Sequence, residues 1–189
     1  MAPGFTDWDH YNGTAELDAA VYVSSPSSLK RYGPLVPPYL YTLTKAAAAQ
    51  ALAQGRVVTR FRATDINGTP PLIPFRYQDQ DNQYFVIFSS SQWNLYRRVG
   101  GSNTLVGYRS FTTTLINNAW YYVRITFWTS EGHLWVRLEL YLDTSWTKQG
   151  DDLSDPTNKW GTTGGRVGIG VSSNNVASYV WFDDTEIWG

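Results

Sequence analysis

The side chains best able to do chemistry in this chain lie between residues 120 and 141. On one alternation stand Trp120, Tyr122, Arg124, Thr126 and Trp128; on the next stand His133, Trp135, Arg137, Glu139 and Tyr141. Flat rings stack on apolar ligand faces, guanidinium forks pair bidentately with carboxylates or sulfates, and His or Tyr moves protons. Together these types suit recognition of a sugar polymer and, under stricter geometry, its cleavage. Arg56, Arg60 and Arg62 stand on one alternation, opposite Val57, Thr59 and Phe61, and add to the face if their strand lies in the same sheet.

The residues in between define what positions this face. Tyr121, Val123, Ile125 and Phe127, then Leu134, Val136, Leu138, Leu140 and Leu142, alternate with it and predict two half-buried strands whose opposite faces form core. Thr129-Ser130-Glu131-Gly132 reads as a four-residue polar turn. That turn sets Trp128 opposite His133, Arg124 opposite Arg137, and Trp120 opposite Tyr141. Opposed arginines repel by about a few tenths of a kcal/mol, unless Glu139 or an anionic ligand bridges them. Other readings are a solvated face whose Arg and Trp stack on one another, a second core covered by the polar loop 144–164, and a protein interface.

Around the hairpin the chain reads as short strands separated by Gly, Asn, Asp and Ser, the pattern of an all-β sandwich. Two early strands are expected, AAVYVSS and SSLKRYG, after an acidic opening loop. The Pro-rich stretch PLVPPYLYTL implies an edge strand or crossover, because proline cannot donate to a ladder. RVVTRFRATD, LIPFRYQDQ, QYFVIFSS, WNLYRRVG and TLVGYRSF follow, and GRVGIGV with SYVWFDDTEIW close the chain. One short helix is expected near 45–54, where TKAAAAQALAQG begins with a capping Thr44 and ends at Gly55. Inward positions at Phe182 and Ile187 require a parity change, so a bulge is expected near Asp183-Asp184. With no repeat or linker, residues 1–189 read as one domain.

Composition narrows the function. Fifteen basic against sixteen acidic residues, net charge −1, argue against a nucleic-acid partner held by a broad phosphate-binding field. Eleven of the basic residues are Arg, a bias toward planar recognition. No apolar run reaches the ~18 residues of a membrane span, so membrane insertion is not expected. MAPGFTDWDHYN lacks the basic and apolar regions of a secretory signal. Asn12-Gly13-Thr14 and Asn67-Gly68-Thr69 match a glycosylation pattern but are turn signals first.

Taken in order, FRYQDQDNQYFVIFSSSQWNLYRRVGG, AWYYVRITFWTSEGHLWVRLELY and GRVGIGVSSNNVASYVWFDDTEIW, with the opening GFTDWDHY and SSPSSLKRYG, resemble the concanavalin A-like lectin/glucanase superfamily, in particular its laminin-G-like and carbohydrate-binding jelly-roll modules. The resemblance spans about residues 5–188. It implies an antiparallel jelly-roll sandwich and an extracellular, cell-surface or virion setting. It also implies that Asp184 with Asp7 or Asp9 holds a structural Ca2+, with hard oxygen ligands; a purely hydrogen-bonding role fits the Asp183-Asp184 pair equally.

Departures from the family bear on activity. Its glycosidases carry Glu-x-Asp-x-x-Glu; this chain lacks it and has only Glu16, Glu131, Glu139 and Glu186 as glutamates. Glycoside hydrolysis needs two facing carboxyls, and Glu139 has no evident partner on the face. Alginate-lyase motifs are missing too, although Arg124, Arg137, His133 and Tyr141 offer the residue types of a uronate lyase. The sequence therefore predicts non-catalytic polysaccharide binding through Trp120, Tyr122, Arg124, Trp128, His133, Trp135, Arg137, Glu139, Tyr141, Arg60 and Arg62, with no required cofactor. The alternatives are a structural or decorating subunit of a homo-oligomer, virion or cell surface and, third, a jelly-roll lyase or glycosidase.

Overall fold

A computed structural model of the chain describes residues 8–11, 14–18, 20–21, 23, 28–32, 39–44, 52–172 and 178–189. The alternating segments become strands β1 (Trp8–Tyr11), β2 (Thr14–Asp18), β3 (Ser28–Tyr32), β4 (Tyr39–Thr44), β5 (Gly55–Ala63), β6 (Pro71–Asp79), β7 (Asn82–Phe88) and β8 (Gln92–Val99). They continue with β9 (Ser102–Ser110), β10 (Trp120–Ser130), β11 (His133–Leu142), β12 (Ser145–Lys148), β13 (Leu153–Asp155), β14 (Gly168–Ser172) and β15 (Val180–Trp188). One antiparallel sheet has the order β1-β4-β14-β6-β7-β8-β9. The second runs β12-β11-β10-β5-β15-β3-β2, with β13 also pairing β11. Face to face they make an all-β sandwich of the jelly-roll type.

The inner faces supply the core. From the second sheet come Val57, Phe61, Val123, Ile125, Phe127, Leu134, Val136, Leu138 and Leu140; from the first come Ile73, Phe75, Tyr84, Val86, Phe88, Trp93 and Leu95. Phe127 of β10 stacks on Phe75 of β6 across the sandwich, centroids 4.7 Å apart. Fully burying one such ring contributes roughly 1.5–3 kcal/mol. The core face expected of the hairpin is thus the observed one.

Between β12 and residue 161 the chain locks the two sheets together. Asp155, at the end of β13, accepts a hydrogen bond from Tyr84 Oη at 2.6 Å and pairs with Arg97 Nη1 at 2.7 Å. Gln149 O accepts from Trp93 Nε1 at 2.9 Å. Arg76, fully buried, donates to Asn158 Oδ1 and to Thr129 Oγ1, each at 2.6 Å.

Several expectations change. The acidic opening loop contains β1 and β2, while the described residues of AAVYVSS, Ala20, Val21 and Val23, lie outside any strand. Of the two expectations for the Pro-rich stretch, the crossover holds, since β3 lies in the second sheet and β4 in the first; the edge does not, since β4 is proline-free and lies between β1 and β14. Of the helix expected near 45–54, residues 45–51 lie outside the described residues. Its flanks are not helical: Thr44 ends β4 opposite Trp8, and Leu52 bridges Gly165. Ladder hydrogen bonds, from Leu52 N to Gly165 O and back, override the local helix propensity there. The loop 144–164 holds two short strands, which extend the sheet edge at β11. The bulge near Asp183-Asp184 is present: the β15–β5 register shifts between Asp183 and Glu186, and Asp184 takes a φ of 49°.

Candidate functional site

The hairpin turn contains two residues rather than four. Glu131 and Gly132 adopt φ of 52° and 78°, the two positive values of a type I′ turn, whose twist matches that of the strands. Thr129 and Ser130 stay in β10, so pairing moves by two residues: Trp128 faces Trp135, Thr126 faces Arg137, and Arg124 faces Glu139. The expected pairs Trp128–His133 and Arg124–Arg137 do not form. Because the shift is even, every side chain keeps its face.

This removes the arginine conflict. Arg124 forks onto Glu139 through Nε and Nη2, both contacts 2.6 Å. Arg137 forks onto Asp152 at 3.0 and 2.8 Å, and Lys148 shares the same carboxylate at 3.1 Å. Hydrogen bonding from Arg137 is the largest influence holding the Asp152 carboxyl below its usual range, and the same bond raises the Arg137 value. Arg60 pairs with Asp184 at 3.2 Å and lies over the Tyr122 ring, 4.7 Å from its centroid. Burial, then the Glu186 charge, pushes the Tyr122 phenol upward.

Two ring clusters result. At the turn end, Trp128 and Trp135 stack at 6.4 Å and 14°, and His133 continues the stack on Trp135 at 6.3 Å and 17°. The Arg137 guanidinium lies 5.6 Å from the Trp128 centroid. Toward the other end, Tyr122, Tyr141 and Trp146 pack together, Tyr122–Trp146 at 4.9 Å and Tyr141–Trp146 at 5.4 Å. Arg124 sits 4.4 Å from the Trp146 centroid. Trp120 lies opposite Arg62, whose guanidinium is 5.4 Å from the Trp181 ring. The structure thus brings all the expected ligand-binding residues onto the outer face of one sheet.

The loop 144–164 covers only part of this face, Trp146 packing on Tyr122, Tyr141 and Arg124 and Asp152 pairing with Arg137. Trp128, His133, Trp135 and Arg137 remain half-exposed, and Tyr141 is 44% exposed. Trp160, from the same loop, turns inward and packs edge-on against Tyr84 at 5.0 Å. A shallow groove of about 430 Å³ opens at the margin of the face, lined by Gln54, Gly55, Arg56, Thr126, Phe127, Trp128, Trp188 and Gly189. Trp146, Asp152, Lys148 and Trp188 belong to the face but not to the expected set. For Trp146 and Lys148 the signal is weak, since β12 follows an Asp143-Thr144 turn with positive φ at both residues and no glycine.

The lyase residue types are not gathered. His133 and Tyr141 stand eight residues apart on β11, about 26 Å at ~3.3 Å per residue. Arg124 and Arg137 are both occupied by carboxylates of the chain. The calcium expectation also finds a poor donor set. Asp184 already carries the Arg60 cation, and the Asp183 oxygens accept from Val23 N and Asp184 N. Asp9 belongs to β1 in the other sheet, and Asp7 lies outside the described residues. No group of three metal-ligating side chains occurs among the described residues.

No protein-family model matches the chain, and no curated protein matches it in sequence. Solved structures do. The carbohydrate binding module CBM66 from Bacillus subtilis is similar with a TM-score of 0.64 at 15% identity, covering 98% of each chain. The cellulose induced protein Cip1 is similar with a TM-score of 0.58 at 19% identity, covering 97% of this chain and 91% of that one. A xylan beta-1,4-xylosidase from Bacillus halodurans C-125 is similar over 92% of this chain but 34% of its own, TM-score 0.59 at 11% identity. At these identities the likeness is one of fold.

Proposed function

We propose that this chain is a non-catalytic polysaccharide-binding module working in an extracellular, cell-surface or virion setting. The observation that carries the reading is the stacked row Trp128–Trp135–His133, partly exposed on the outer face of one sheet. Parallel rings offer a platform for the apolar faces of sugar rings. The forked Arg124–Glu139 and Arg137–Asp152 pairs hold polar groups at fixed positions beside it, ready to bond hydroxyls. Small side-chain entropy losses on binding follow from that pre-organisation. The similarity in fold to the carbohydrate binding module CBM66, and the resemblance to laminin-G-like modules, support the reading.

The test is affinity electrophoresis and titration calorimetry against a broad set of soluble polysaccharides. A Trp135→Ala variant is expected to lose at least about tenfold in affinity, as a central aromatic anchor does. Its thermal midpoint should stay within a few degrees of the parent, since the ring faces solvent. Absence of binding to every glycan would sink the proposal.

A second reading, subunit contact, is favoured by β9. This nine-residue strand ends the first sheet, and Leu105 and Tyr108 on it are 47% and 54% exposed. An exposed edge is a template for pairing with another chain. Mass measurement in solution tests it, a strict monomer counting against assembly through this edge.

A further inference from the structure

Five arginines stand along the outer face, and three of them, Arg60, Arg124 and Arg137, already hold carboxylates of the chain. Arg62 is spread over Trp181. Arg56 differs from all of these: it is exposed, and among the described residues it has no hydrogen-bond or ion-pair partner. It lies within the groove at the margin of the face, between Trp188 on β15 and Thr126 on β10, its register partners on either side. With strands about 4.8 Å apart, those two neighbours stand about 10 Å from each other across Arg56.

Two indole side chains line the same groove as Arg56. Trp128 lies two residues beyond Thr126 on β10, and Trp188 is 47% exposed. Gly55, also in the lining, packs so closely that a Cβ there would lie 2.6 Å from Trp188 O. The groove volume of about 430 Å³ falls in the range of small-ligand sites. Resting on the reading of this face as a glycan surface, we infer that the groove takes an acidic sugar unit, its carboxylate or sulfate bound by Arg56 and its ring seated between Trp128 and Trp188. The charge balance of the face makes the acid the specific element. Neutral hydroxyls are served by the paired groups, whereas an unpaired guanidinium beside an apolar wall gains most from an anion that supplies two oxygens.

The experiment is calorimetric titration with polygalacturonate, alginate and heparin, each beside its carboxyl-reduced or desulfated counterpart. At least one acidic polymer is expected to bind about tenfold more tightly than its neutralised form, with the advantage shrinking as salt is raised toward 1 M, where screening acts over ~3 Å. Arg56→Gln is expected to erase that advantage while leaving binding of neutral glycans and the melting temperature unchanged; Arg56→Lys should restore part of it. A uronate preference and a sulfate preference are separated by which polymer shows the difference. If neutralised polymers bind as tightly as acidic ones, or if Arg56→Gln leaves the preference intact, the inference is overturned while the glycan reading of the face stands. If no glycan of either kind binds, both fall together.

Discussion

Asp155 ties together Tyr84, Arg97 and the Thr157 amide, all of which donate to its carboxylate. Burial alone would raise its pKa, yet hydrogen bonds from Tyr84, Arg97 and the Thr157 amide, with the Arg97 charge, hold it below the ordinary value. A carboxyl lowered on folding contributes stability that is complete above its unfolded pKa, about 3.9, and is lost as pH falls through the native value. Urea unfolding between pH 6 and pH 2.5 should therefore show stability falling below about pH 4 in the parent protein. Asp155→Asn should remove about 3 kcal/mol at neutral pH, because the charge that pairs Arg97 and one of the two oxygens that accept from Tyr84, Arg97 and Thr157 are lost, and should flatten that part of the acid limb. An unchanged acid limb in the variant would show that the loss arises elsewhere. Nothing near Leu153-Ser154-Asp155 in the sequence marks this role, because Tyr84 and Arg97 lie 71 and 58 residues away. The rings and arginines that β5, β10 and β11 place on the outer face were legible by contrast, since each is assigned to its face by two-residue parity alone.

At the scale of the element, the β10–β11 hairpin separates what periodicity encodes from what turn geometry decides. Alternation assigned Leu134, Val136, Leu138 and Leu140 to the core and Trp135, Arg137 and Glu139 to the outside, and the structure agrees. Cross-strand partners depend on turn length, and Glu-Gly lacks the Asn-Gly signature of a two-residue turn, so the pairing of Arg124 with Glu139 was not legible. Glu131 holds a φ of 52°, a left-handed conformation that Asn tolerates better. Glu131→Asn should thus stabilise the protein by about 0.5–1 kcal/mol, whereas Gly132→Ala, at φ 78°, should cost about 1–2 kcal/mol. Denaturant midpoints measure both, and equal effects of the two changes would rule out the type I′ account. The Arg124–Glu139 fork is partly buried, its side chains 20% and 14% exposed, and a double-mutant cycle should return a coupling of about 1 kcal/mol.

For the whole molecule, the number and spacing of strands made the sandwich legible, but the order of strands was not, because it is set by contacts between distant segments. β14 enters the first sheet between β4 and β6, and β15 enters the second between β3 and β5. The last strands of the sequence therefore occupy the middle of both sheets, and Phe182 is fully buried in the shared core. β5 carries Arg56 and Arg60 on one side and Val57 and Phe61 on the other, and it is held between β10 and β15. Deleting residues 180–189 leaves the β15-facing edge of β5 unpaired, opens the core beside Phe61 and exposes the edge of β3. Missing ladder bonds and an opened core together exceed the roughly 5–15 kcal/mol by which a domain is stable. The deletion should abolish the cooperative thermal transition and the near-ultraviolet signal of the packed tryptophans. Trp146→Ala, at an edge strand, should retain both with a modest loss of stability. A truncated chain that still melted cooperatively would mean that the two sheets hold together without their central β15, and would overturn this account of how the outer face is supported.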